Sequence, residues 1–327
     1  MKALVTGAGG FIGAHVVSAL VTRGAQVRAF DLDPADPPDG AEPVRGDILD
    51  PVSLRRAIDD CDAVFHLAAL YSYDRRDAAL MRLVNVEGTR AVLDAALRGR
   101  CRRIVHTSSC ATCGPVVGRA ATELDVPGAR ELRVPYRQTK LQGERLALRA
   151  ARERGDVVVV CPTVPVGPGD RRPTPTGKMI VDIAAGRARG YLARSALNVV
   201  AVEDVAAGHA QAFERGRSGE RYLLGGENLT IADVFTIVAH AAALPRPRVP
   251  VPWLAAHAAA RAAHAVARPL GREPDLLVLD EVRSGRLPHL FDDAKARAEL
   301  GYTARPAADA LIGATRAALA AAGDARG

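Results

Sequence analysis

Over the first 160 residues, short runs rich in β-branched side chains alternate with stretches whose apolar positions recur every three or four residues. The short runs predict strands at Ala3–Thr6, Gln26–Asp31, Glu42–Arg45, Ala63–His66, Arg103–Thr107 and Asp156–Cys161. Between them, Phe11–Arg23, Pro51–Asp59, Ala78–Arg98 and Tyr136–Arg154 carry the helical period. Regular strand–helix alternation of this kind implies an α/β fold with a parallel sheet, wound on both faces by right-handed crossovers.

After Cys161 the pattern changes. Pro162, Pro165, Pro168, Pro173 and Pro175, interleaved with Gly167, Gly169 and Gly177, predict a long irregular segment. A helix over about Lys178–Arg187, a strand at Asn198–Val202 and a helix from Glu203 follow. A strand is then expected at Arg221–Leu224, and a helix through Ala242 capped by Thr230, with Asp233 in the capping-box position. The remainder reads as mostly helical. These patterns predict a main α/β domain over 1–165 and a smaller, mostly helical lobe over 166–327, with some of its elements returning to the main domain.

Composition narrows the class. Apolar residues make up 48% and charged residues 25% of the 327 positions, values of a globular chain. The net charge of +7 invites a nucleic-acid reading, but the basic residues are scattered among acids, without like-charge blocks or interleaved stacking aromatics, so no nucleic-acid partner is expected. No membrane span is expected either: the alanine-rich stretch Trp253–Leu270 is interrupted by His257, Arg261, His264 and Arg268, which predicts a packed helix. The chain begins directly in a strand, so no leader is expected, and five cysteines fit free thiols in a reducing cytoplasm. Cys110 and Cys113 form a lone C-x-x-C, without the second pair or the histidines that a metal site needs.

Candidate chemistry appears at two places. Gly7, Gly10 and Gly13 lie between the first strand and the first helix, around Phe11 and Ile12. Glycines there permit a tight turn, and the helix N-terminus offers free N–H groups and a positive dipole end to a pyrophosphate. Asp31, eighteen residues past Gly13, closes the second strand, where a carboxylate can accept the ribose hydroxyls and would repel a 2′-phosphate; NAD is therefore expected rather than NADP. Asp47 and Ile48 are candidates for the adenine edge, and Leu67, Ala68 and Ala69 follow the fourth strand on the cofactor side. Thr107, Pro162 and Val164 complete the expected nucleotide-side set, together with Asn85, whose buried amide is expected to tie elements together beside the cofactor rather than to react.

The second place is Tyr136, with Lys140 one helical turn on and the predicted strand ending in Ser108-Ser109 upstream. A free phenol, with a pKa of about 10, is a poor base at neutral pH. A lysine on the same helix face, a cofactor ribose and an oxidised nicotinamide would each favour the phenolate, and lowering it by about three units takes ~4 kcal/mol. Ser109 would orient a substrate oxygen between Tyr136 and the hydride-carrying carbon.

In this order and spacing the motifs resemble those of the extended short-chain dehydrogenase/reductase superfamily along nearly the whole chain. The resemblance rests on Thr6-Gly7 to Gly13, Gly46-Asp47-Ile48, His66 to Ala69, Asn85 to Thr89, Thr107 to Ser109, Tyr136 to Lys140 and Gly167 to Asp170. Arg172 to Lys178, Leu197 to Ala206 and Gly225 to Thr230 are similar to the dihydroflavonol-reductase-like branch that includes proteins called hopanoid-associated sugar epimerases. The resemblance implies a Rossmann fold, NAD as cofactor, Ser109, Tyr136 and Lys140 as the catalytic set, a small-molecule substrate and a homodimer built on the Ala78–Arg98 and Tyr136–Arg154 helices. Two departures stand out. Val164 replaces the sugar-contacting Asn of nucleotide-sugar epimerases, and Leu197 replaces the Arg that grips their diphosphate. The expected activity is thus interconversion of a secondary alcohol and a ketone on a moderately hydrophobic molecule, in a pocket containing Tyr71, Tyr73, Val166, Met179 and Asn198, with Val164, Ile180 and Tyr191 nearby. The alternatives are a nucleotide-sugar epimerase or dehydratase and, more remotely, a non-catalytic NAD sensor.

Overall fold

The computed structural model describes every residue except 35, 36, 39, 100, 154, 189, 246–248, 268–277 and 325–327. Strands β1 (Lys2–Thr6), β2 (Gln26–Asp31), β3 (Ala41–Arg45), β4 (Ala63–His66), β5 (Arg103–Thr107) and β6 (Val157–Pro162) are joined by helices α1 (Phe11–Thr22), α2 (Pro51–Ile58), α3 (Ala78–Arg82), α4 (Thr89–Arg98) and α5 (Pro135–Glu153). Beyond them come β7 (Val164–Val166), α6 (Pro175–Ala184), β8 (Gly190–Leu192), β9 (Ala196–Ala201), α7 (Val202–Arg215), β10 (Arg221–Leu224) and β11 (Glu227–Thr230). The chain continues through α8 (Ile231–Ala241), β12 (Val249–Val251), α9 (Trp253–Ala267), α10 (Leu279–Ser284), α11 (Ala294–Leu300) and α12 (Ala307–Asp324).

Seven parallel strands form the main sheet in the order β3-β2-β1-β4-β5-β6-β10, the Rossmann arrangement expected. Strand order reverses between β1 and β4, and the crevice above their carboxyl ends is where such sheets bind ligands. The valine run Val157–Val160 in β6 is wholly buried because its side chains alternate into two cores. One core joins the sheet to α1 and α7 through Val16, Val17, Leu20, Val205 and Phe213; the other joins it to α2, α4 and α5 through Leu54, Ile58, Leu93 and Ala147. Full burial of each such side chain contributes about 1.5–3 kcal/mol. A second sheet, β7-β9-β11, packs Val166 and Val199 against Ile180, Ile183, Val234, Phe235 and Leu311.

Two expectations need correction. The segment after Cys161 is not one irregular loop: β7 pairs in parallel with β9, and Thr174 caps α6 from Pro175 onward. Pro165 fits because β7 lies at the edge of its sheet. The predicted Ala78–Arg98 helix is interrupted by a π-helical stretch, Leu83–Gly88, that carries Asn85. The alanine-rich helix α9 buries only Ala256 and Ala260 deeply, and residues 268–270 of that predicted stretch, like Arg154 of another, lie outside the described residues. Among the described residues no helix is long and apolar enough to cross a membrane.

Candidate active site

The nucleotide end is built mainly from backbone. Gly7 adopts φ +74°, and a Cβ on it would stand 2.6 Å from the Ala68 nitrogen, so only glycine lets the β1–α1 loop lie against the segment that follows β4. A Cβ on Gly13 would overlap the Gly7 carbonyl oxygen, which sets how closely α1 approaches the loop. Gly10, the N-cap of α1, supplies no side chain to the first helical N–H groups, and the first turn carries no acid. An anion is the natural partner for that open end. Asp31 faces the loop: Oδ2 accepts from Gly9 N at 3.0 Å and Oδ1 from Asp33 N at 3.3 Å. Thr6 Oγ1 bonds His66 Nδ1 at 2.8 Å and fastens β4 to the same corner. A dinucleotide with a free 2′-hydroxyl fits this donor set.

The other nucleotide-side residues divide. Phe11, Ile12, Leu67 and Ala68 are half-buried around the loop, and Ala69 is exposed. Asp47 spends Oδ1 on Leu49 N at 2.9 Å, while Ile48 is core, packed against Gly88. Pro162 is buried in β6, and Val164 is half-buried in β7.

The reactive end is carried by α5. Tyr136 is half-buried at its first turn, and burial pushes its phenol well above the usual value, with the Ser109 hydroxyl pulling the other way. Lys140 is buried and donates Nζ to Thr107 O at 2.7 Å. Desolvation lowers its ammonium to about 8, against the opposing pull of Cys161 and Glu144. Ser109 caps a 3-10 turn at Cys110–Thr112, its Oγ accepting from Ala111 N at 3.2 Å. Thr107 holds His209 Nε2 at 2.9 Å through its hydroxyl. The amide of Asn85 donates to Leu70 O at 2.9 Å and Thr139 Oγ1 at 3.1 Å and accepts from Leu70 N at 2.7 Å, which ties the loop after β4 to α5.

On the substrate side, the Tyr71 ring lies 4.2 Å from that of Tyr136 and 5.5 Å from that of Tyr73, centroid to centroid. Arg75 bonds Asp280 at 2.8 Å, and Arg137 bonds Gly114 O and Ser284 Oγ at 2.8 Å each; together they tie α10 to the start of α5. Other expected substrate residues sit elsewhere. Val166 and Ile180 belong to the core of the second sheet, Met179 packs at that core's edge, and Tyr191 stands 5.6 Å from Phe235. Asn198 is corrected outright: 1% exposed, it donates to Asn228 Oδ1 at 2.9 Å and to the carbonyls of Gly226 and Phe291 at 3.3 Å, and accepts from Gly226 N at 2.8 Å. Its bonding capacity goes to holding β9, β11 and the Phe291 segment together.

Two groups escaped the reading of the sequence. Arg137 and Glu144 are charged positions on the inner side of α5, 5% and 1% exposed. For Glu144 a signal was available, since it continues the four-residue spacing of Tyr136 and Lys140.

Residues 3–225 match the model of the NAD dependent epimerase/dehydratase family. A protein of Synechocystis called putative dihydroflavonol 4-reductase is 36% identical over 91% of this chain and 88% of its own length. The 4-hydroxy-2-methyl-3-oxo-4-farnesyl-3,4-dihydroquinoline-1-oxide ketoreductase of Stigmatella aurantiaca is 34% identical over 93% and 92%. The crystal structure of gox2253 is 37% identical, covers 97% of each chain and superposes with a TM-score of 0.82.

Proposed function

We propose that this chain, which belongs to the NAD dependent epimerase/dehydratase family, interconverts a secondary alcohol and a ketone on a small, moderately hydrophobic molecule. The observation that carries this reading is the surface around the reacting hydroxyl: Tyr71 packs on Tyr136 and Tyr73 on Tyr71, while Asn198 is spent on internal bonds. The name of the Stigmatella ketoreductase supports the same class.

In the oxidative direction the Tyr136 hydroxyl, as phenolate, takes the alcohol proton while Ser109 holds the substrate oxygen. In the reductive direction Tyr136 returns that proton to the ketone oxygen. Lys140 supplies the positive charge that makes the phenolate accessible, and its bond to Thr107 O aims the ammonium. Gly7, Gly10 and Gly13 admit the NAD pyrophosphate, and Asp31 takes its ribose. NAD, when bound, accepts or returns the hydride. The Tyr71 ring excludes water from one side of Tyr136 and offers an apolar face to the substrate body.

The test is incubation of the protein with NAD and a panel of secondary alcohols graded from short alkyl to aryl and polycyclic, following NADH absorbance and product NMR together. Stoichiometric NADH and ketone are expected, strongest with an apolar body. Epimerisation of a nucleotide sugar without net NADH, faster than any alcohol in the panel, would overturn the reading.

A further inference from the structure

Behind the Ser109–Tyr136–Lys140 face lies a buried polar cluster that the reaction above leaves unused. Glu144 sits one turn beyond Lys140 on α5, with 1% of its side chain exposed. Its Oε2 accepts from Ser108 Oγ and from Thr112 Oγ1, both at 2.6 Å, and from the Cys161 thiol at 3.6 Å. Its Oε1 accepts from Arg221 of β10 at 2.9 Å. Arg221, 11% exposed, spends its other terminal nitrogen on Cys113 Sγ at 2.8 Å and Asp125 O at 3.1 Å.

The topology of these bonds is specific. Ser108 directly precedes Ser109, and Thr112 closes the 3-10 turn that Ser109 opens, its single hydroxyl proton shared between Glu144 Oε2 and the Ser109 carbonyl at 2.7 Å. One carboxylate oxygen therefore grips the chain on both sides of Ser109, from the helix that bears Tyr136 and Lys140. A carboxylate buried this deeply is costly unless paired and fully bonded, so a cluster of short charge-assisted bonds holds its geometry firmly.

We propose that Glu144, ion-paired to Arg221, is a positioning residue that locks the Ser109 turn onto the α5 face carrying Tyr136 and Lys140 and sustains the charge on Lys140. The proposal rests on the roles given to those three residues above. Lys140 is faced by Glu144 from α5, Cys161 from β6, His66 from β4 and His106 from β5. Burial holds both histidines neutral, far below their usual values, and the hydrogen bond with Cys113, together with burial, raises the Cys161 thiol. Glu144 is thus the anion at hand, and Arg221 limits its reach. Removing Glu144 leaves Arg221 unopposed and must make the Lys140 ammonium less stable; removing Arg221 leaves Glu144 unopposed and must make it more stable.

The chain has four lysines, Lys2, Lys140, Lys178 and Lys295. Carbon-13 labelling of lysine therefore yields a simple NMR titration, with Lys140→Met identifying the signal, and no substrate is needed. Glu144→Gln should move the Lys140 midpoint down by about one pH unit and Arg221→Gln should move it up by a comparable amount. Breakage of the same ion pair by two substitutions would shift the midpoint in opposite directions only if the charges act on Lys140. Midpoints that move the same way, or that stay within about 0.2 unit of wild type, overturn the electrostatic half.

The positional half is read on the paired variant Ser108→Ala/Thr112→Val, which keeps both charges. With the best alcohol of the panel, kcat should fall about tenfold or more while KM and the Lys140 midpoint stay put, since a misplaced serine costs the step rather than binding. Unchanged kcat overturns this half. Should Glu144→Gln not fold, Glu144→Asp keeps the charge and withdraws the reach, and it must lower kcat while leaving the midpoint in place; an unchanged kcat there overturns the proposal. If no alcohol is oxidised, the proposed reaction fails while the lysine titration still decides the role of Glu144.

Discussion

The two ends of the cleft are made differently. At the nucleotide end, backbone does the recognition: Gly7 and Gly13 have no room for a Cβ, and the first turn of α1 is left open for an anion. At the proposed substrate end, side chains from distant segments come together, with Tyr71 from the loop after β4, Tyr136 from α5, and α10 drawn in by Arg75 and Arg137. A backbone pocket is nearly the same in any chain that forms the turn. A side-chain pocket changes with every substitution, so one family can keep one cofactor and vary its substrates.

The largest effect should fall at the junction. Tyr136→Phe removes only a hydroxyl, so turnover should drop by about 10²–10⁴ while thermal stabilisation by NAD is retained. Turnover above a tenth of wild type would show that another group moves the proton. Next comes the cofactor: at one hundred times the dissociation constant NAD should add about 2.7 kcal/mol of stability, and NADP at the same concentration much less, because Asp31 faces the loop where a 2′-phosphate would lie. Equal shifts in melting temperature would remove Asp31 from that role.

Smaller changes probe the other end. Asn198→Ala should lower stability by about 1–3 kcal/mol in chemical denaturation, since partners on β11 and the Phe291 segment are left unsatisfied, with KM for the alcohol unchanged. A KM rise at unchanged stability would return Asn198 to the substrate pocket. Tyr71→Ala should raise KM several-fold, roughly 1 kcal/mol of lost contact, without altering NAD-induced stabilisation. Loss of NAD binding in that variant would mean that the two ends are not separable as described.

The same contrast explains what could be read in advance. The six strands from β1 to β6 and the glycine loop were legible because each rests on local pattern: short runs, mostly apolar, set between helical periods, and glycines where no Cβ fits. Tyr136, Lys140 and Ser109 were legible through their spacing and their resemblance to a known superfamily. The short strands β7, β8, β11 and β12 were not, because three- and four-residue strands carry too little pattern and are held by tertiary pairing. Asn198 reads in the sequence as a polar pocket residue beside Leu197, but its partners Gly226, Asn228 and Phe291 come from segments that only the fold brings together. A charged residue on a helix is ordinarily solvated, and Glu144 is buried only because the Ser108–Thr112 turn, β6 and β10 converge on it in the fold.

The place of β10 in the main sheet has a consequence for how the protein is born. Sixty-one residues separate Val160 from Arg221, so a ribosome adding 5–20 residues per second needs about 3–12 s to deliver the strand that flanks β6. During that interval the nascent chain carries Ser109, Tyr136 and Lys140 but lacks the neighbour of its most apolar strand, Val157–Val160, whose edge stays open to other chains. Glu144 waits over the same seconds without its guanidinium. A ribosome stalled before residue 221 should therefore present a sticky, catalytically silent intermediate that holdase chaperones retain, and release of the next few residues should free it.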